Sequence, residues 1–233
     1  MPLKGNNQNY FLHILHIYEE FHCGVEHKAA TMGVLFVLSF SAAILFLGMH
    51  RGHCARIPGG QVSIPHSRPY MAALVRGNVF KCGGSLIREN WVLTAAHCQI
   101  NIGDKVILGA HSLSKYENEK QEFQVVTVIR PRNYNSDTFE HDIMLLQLNG
   151  RARLNRSVKT VQLPRTYEDV RVGTQCLVLG WGATYRKNWS EVLQEITVTI
   201  FDRHVCKGYY TKPAGLITTN KLCAGVTNGG ACS

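Results

Sequence analysis

The 233-residue chain has no low-complexity tract and no usable internal repeat, which sets aside repeat and compositionally biased architectures. None of its eight cysteines stands in a Cys-x-x-Cys pair, so the close ligand spacing of a zinc site is missing. Acidic residues are scarce, 16 against 25 Lys and Arg, for a net charge of +9. No nucleic-acid-binding motif accompanies that charge. What is present is 45% hydrophobic residues, arranged as short Val/Ile/Leu runs between Gly, Asn and Pro. Runs at 106–108, 123–129, 143–148, 176–179 and 196–201 predict an all-β protein. Eight cysteines point to an oxidising compartment.

The most informative stretch is Leu93-Thr94-Ala95-Ala96-His97-Cys98, with Cys82-Gly83-Gly84-Ser85 upstream and His141-Asp142-Ile143-Met144-Leu145 downstream. A serine hydroxyl is a poor nucleophile at neutral pH. It needs an imidazole to take its proton and a buried carboxylate to hold that imidazole in the correct tautomer. His97 fits the first role and Asp142 the second, 45 positions later. On this reading a Gly-Asp-Ser-Gly motif supplies the nucleophile, and that tetrapeptide does not occur up to Ser233. The competing readings are a surface histidine and a solvated acid near Asp137 and Glu140.

These segments, together with Gly180-Trp181-Gly182 and Leu222-Cys223-Ala224-Gly225, resemble the trypsin-like serine proteases over residues 57–233. Pro65-His66-Ser67-Arg68-Pro69-Tyr70-Met71 and Val106 to Ser114 are most similar to granzymes A and K. The resemblance implies two antiparallel β-barrels with the active site in the cleft between them. The first runs from about Ile57 to Leu163. The second starts near Gly173 and is incomplete, with an open edge that leaves Val178 and Val198 half covered. It further implies disulfides Cys82–Cys98 and Cys206–Cys223, with the partners of Cys176 and Cys232 lying past Ser233. Arg56-Ile57-Pro58-Gly59-Gly60 resembles a zymogen activation junction, although Pro58 replaces the usual aliphatic residue and its fixed φ hinders cleavage or insertion. Counting back from Cys232, Gly230 falls at the floor of the primary specificity pocket. Without a carboxylate there, the pocket is expected to prefer apolar side chains.

Residues 1–31 are an unassigned extension, and 32–56 read as a signal peptide or signal anchor plus a short propeptide. The uncharged stretch 29–49, with its apolar core 33–48, is an export segment of a length between a signal-peptide core and a full membrane span. Met32 offers a second start, and cleavage with secretion is favoured over anchoring. Cys23 and Cys54 have no assigned partner. Sequons at Asn155 and Asn188 fit a secretory route. Residues 57–233 carry 21 basic and 13 acidic residues, or +8, a charge that suits polyanions such as proteoglycan or simply an ordinary basic surface. The expected partners are protein or peptide substrates and an activating protease, with no cofactor, metal or nucleic acid. Two functions follow: a granzyme-like serine endopeptidase, secreted or granule-stored as a zymogen, or a truncated, inactive homologue acting as a secreted or membrane-tethered binding protein.

Overall fold

The computed structural model describes residues 60–165, 168–182, 190–209 and 217–226. Arg56, Ile57, Asn188, Gly230, Cys23, Cys54, Cys232 and the apolar segment 33–48 lie outside these residues. No described helix is long and apolar enough to cross a membrane.

The described chain is nearly all strand. In order it forms β1 (Gln61–Val62), β2 (Met71–Arg76), β3 (Val79–Arg88), β4 (Trp91–Thr94), β5 (Lys105–Leu108), β6 (Gln121–Ile129), β7 (Met144–Leu148), β8 (Gln175–Gly180), β9 (Gln194–Phe201) and β10 (Cys223–Gly225), with one helix α1 (Arg203–Tyr209). The strands β2-β3-β4-β7-β6-β5 close into an antiparallel barrel. Closure removes sheet edges. The second sheet has β8 on one side of β9 and both β1 and β10 on the other, and does not close among the described residues. The all-β, two-sheet expectation therefore holds, with the first barrel closed and the second sheet unclosed among the described residues.

Side-chain alternation explains the placement. In β7 Met144, Leu146 and Leu148 are buried while Leu145 and Gln147 are partly exposed, the period-two pattern of a strand covering a core. β2 is different, because all of Met71 to Val75 are buried. Ala72 and Leu74 enter the core of the closed barrel with Val92, Val106, Leu108 and Leu146. Met71 and Ala73 face the opposite way, onto Leu179, Trp181 and Leu193 of the second half. One strand thus serves both cores, which is why its apolar run is continuous.

Trp181 anchors the seam: it is fully buried and its indole N–H donates to His111 O at 2.8 Å. Backbone bonds add to it, from Leu113 N to Glu191 O (2.8 Å) and from Leu193 N to His111 O (2.9 Å). A buried polar clamp ties the segment after β1 to β9. Ser63 Oγ donates to Glu195 Oε2 at 2.7 Å, and Arg68 Nε reaches the same oxygen at 3.2 Å. Contrary to the half-covered expectation, Val178 and Val198 are buried, because Ile200, Ile196 and Val170 pack beside them.

Candidate active site

The imidazole is placed by a short covalent and hydrogen-bonded frame. A 3-10 turn, Ala96–Cys98, follows β4 and ends at Gln99 in a left-handed conformation (φ 52°). Cys98 is bonded to Cys82 of β3, with Cα atoms 6.0 Å apart. Thr94 Oγ1 donates to Gly83 O at 2.9 Å. Gly84 lets β3 and β4 approach: a Cβ there would lie 2.7 Å from Val92 Cγ1 and 3.1 Å from Leu93 O. A side chain at that position would push β4, and the turn behind it, out of place.

Beyond the turn, Arg76 and Asp104 brace its exit. Arg76 donates to both carboxylate oxygens of Asp104, with Nη2 2.9 Å from Oδ2, and also to Gln99 O. Asp104 Oδ2 accepts a further bond from Asn101 N–H at 2.8 Å. Burial alone would push the Asp104 carboxyl up, but the Arg76 and Asn101 hydrogen bonds outweigh it and hold the group below its ordinary value. A folded-state value below the unfolded one means stability that is fully present above about pH 4 and is lost as pH falls below it. Urea midpoints measured from pH 5 down to about 2.5 are therefore expected to fall less steeply in Asp104→Asn than in the parent chain. Parallel acid limbs would sink this account.

Asp142 comes two residues before β7 and is 5% exposed. His97 and Asp142, 45 residues apart, are brought into a two-point contact. The His97 backbone N–H donates to Oδ1 at 2.8 Å, and ring Nδ1 lies 2.5 Å from Oδ2. With Nδ1 donating to the carboxylate, the tautomer is fixed and Nε2 is left as the basic nitrogen. The ring is 18% exposed. Phe139 stands edge-on to it, with centroids 5.9 Å apart and planes at 88°. Neither the surface-histidine nor the solvated-acid reading survives this geometry.

The sulfurs of Cys82 and Cys98 and a nitrogen of His97 fall within 4.8 Å of one another, but both sulfurs are consumed by the disulfide and offer no thiolate to a metal. The second expected disulfide, Cys206–Cys223, joins α1 to β10. Cys176 is a buried free thiol, pushed up by burial. Asn155 is exposed, and its Oδ1 accepts bonds from the N–H groups of Ser157 and Val158, each at 2.8 Å. Sequence reasoning missed Phe139, Ser63, Arg68, Glu195, Arg76 and Asp104. Gly103-Asp104 and Arg68 carried at most a turn and a charge as signals.

Comparison with known proteins agrees with the geometry. The chain is 42% identical to granzyme A of Bos taurus over 206 residues, covering 85% of this chain and 78% of that protein. It is 44% identical to human cathepsin G over 161 residues, 67% of this chain and 62% of the relative, so it spans less than two thirds of that protein's length. A solved structure of neuropsin, described as a serine protease expressed in the limbic system of mouse brain, superposes with a TM-score of 0.67. It is 38% identical and covers 75% of this chain and 77% of its own. The family profile described as Trypsin matches residues 57–233. With the closed first barrel, the seam at Trp181 and the His97–Asp142 pair, this places the chain in the trypsin family.

Proposed function

We propose that the chain carries the general-base half of a granzyme-like serine endopeptidase whose nucleophile is supplied by sequence outside residues 57–233. The observation that carries this is the His97–Asp142 pair, held at 2.8 Å and 2.5 Å through two separate donors. In the reaction, a serine Oγ adds to the scissile carbonyl carbon as its proton passes to His97 Nε2. Asp142 stabilises the imidazolium that results. Collapse of the tetrahedral adduct breaks the C–N bond, with the proton moving from Nε2 to the leaving amine. Water then repeats the addition on the acyl-enzyme.

The enzyme is exported through the 33–48 segment and made as a zymogen, with an activating protease cutting between Arg56 and Ile57. The pairing of Gln61–Val62 with β9 supports this, because a new terminus at Ile57 is tethered only four residues from the second sheet. N-terminal sequencing of the secreted, active form should begin at Ile57; any other start removes the zymogen reading. Glycan attaches at Asn155, whose exposure supports it, and at Asn188. The +8 charge of residues 57–233 suits granule proteoglycan, and elution from heparin below physiological salt would count against that.

The 57–233 polypeptide alone should neither hydrolyse peptide esters nor react with a serine-directed phosphonate, because the nucleophile and oxyanion hole are both required. Stoichiometric labelling at any of its serines would overturn the proposal and relocate the nucleophile. In the nucleophile-bearing enzyme, Gly230 gives the primary pocket an uncharged floor. Burying an unpaired guanidinium there would cost several kcal/mol. A positional-scanning peptide library should show cleavage after Val, Leu, Met or Phe; dominant cleavage after Arg or Lys would defeat the Gly230 assignment. The inactive binding-protein reading is the outcome left if no form of the protein, mature or native, takes the probe.

A further inference from the structure

Lys221 is 1% exposed, the most deeply buried charged side chain among the described residues. An ammonium taken from water is costly unless it finds strong acceptors. The four-carbon stem starts two residues before β10, in the second half of the molecule. Its Nζ donates to Thr138 O at 2.7 Å, in the first-half loop that leads to Asp142. A second bond crosses beside it, from Thr218 Oγ1 to Glu140 Oε1 at 2.9 Å.

These two bonds anchor residues 138 and 140. Between them is Phe139, a bulky residue held at φ 52°, a left-handed conformation that costs on the order of 1 kcal/mol for a residue with a Cβ. Such a conformation persists only where the surroundings over-determine it. The ring that the strained backbone presents is the one standing edge-on to His97. The segment supplying the anchors is itself fixed. Arg203 Nε donates to Lys221 O at 2.5 Å and Nη2 to Thr219 O at 3.1 Å. The same guanidinium pairs with Asp169 through two bonds, and the Cys206–Cys223 disulfide closes the base.

We propose that Lys221, assisted by Thr218, is a positioning residue: it clamps the 138–140 loop across the two halves and so fixes Phe139 against the His97 imidazole. Its bearing on catalysis rests on the endopeptidase reading above, but the clamp itself does not. A methionine would match the length of the stem and keep the packing while removing the donor.

The test uses the full chain, with histidine ring resonances and amide exchange read by NMR, and with Phe139→Ala as the reference for the ring-current shift that Phe139 imposes on His97. Lys221→Met is expected to move the His97 ring-proton shifts toward those of Phe139→Ala. It should also speed exchange of the 138–141 amides by about tenfold, the loss of one well-made buried hydrogen bond. Thr218→Val should shift both readouts in the same direction by less. The proposal is overturned if Lys221→Met lowers the melting temperature while leaving the His97 shifts at parental values, or if exchange quickens equally through β2 to β7, either of which marks a merely structural lysine. Should Lys221→Met fail to fold, Thr218→Val decides alone, and unchanged His97 shifts in it reject the clamp. No step of this experiment needs proteolysis, so a failure of the endopeptidase reading leaves its result intact.

Discussion

Asp142→Asn is expected to lower kcat of the nucleophile-bearing protease by about 10⁴-fold with little change in KM. Asp142 accepts two bonds, one from His97 N–H and one from the ring. An asparagine of the same shape keeps the first through its amide oxygen. It then turns an NH₂ group toward Nδ1, which must accept rather than donate. The proton moves to Nε2, and an Nε2–H imidazole cannot take a proton from serine. Because packing around residue 142 is preserved, the melting temperature should hardly move. A loss of less than about tenfold would mean that Asp142 is a structural anchor for the turn and not the group that sets the tautomer.

Removing the Cys82–Cys98 bridge by Cys82→Ala with Cys98→Ala is expected to cost about 3 kcal/mol of unfolding free energy, from a closed loop of roughly fifteen residues. Both cysteines are buried in the barrel core, so two small cavities add to the loss. The effect on the site should be distinct from the effect on stability. Without the bridge, the 96–98 turn loses its covalent tie to β3 and keeps only its hydrogen bonds, the Arg76 contact with Gln99 O and the core packing of Ala96, and the His97–Asp142 geometry should loosen. Urea unfolding of the oxidised parent and the double variant supplies the free energy, and a difference under about 1 kcal/mol would contradict the estimate.

Much of the site was legible in the sequence because its signals are local or ordered along the chain. His97 lies next to its disulfide cysteine, Asp142 heads an apolar run, and the strands at 106–108, 176–179 and 196–201 announce themselves by residue type, reappearing inside β5, β8 and β9. The pairings between residues distant along the chain were not legible. Ser63 and Glu195 are 132 residues apart, Lys221 and Thr138 are 83 apart, and nothing in a serine, a glutamate or a lysine says which distant backbone it will meet. Phe139 also gave no warning, since a left-handed residue is normally announced by Gly or Asn. Burial misled in one place: Val178 and Val198 are buried, packed with Ile196, Ile200 and Val170.

The central claim is that His97 serves as the base for a serine lying outside residues 57–233. Phosphonate labelling of the native protein, captured from its own cells and mapped by peptide mass spectrometry, tests it most directly. One labelled serine is expected, within a Gly-Asp-Ser-Gly sequence, with loss of that label in His97→Ala. No label on the native protein, or a label indifferent to His97→Ala, would contradict it.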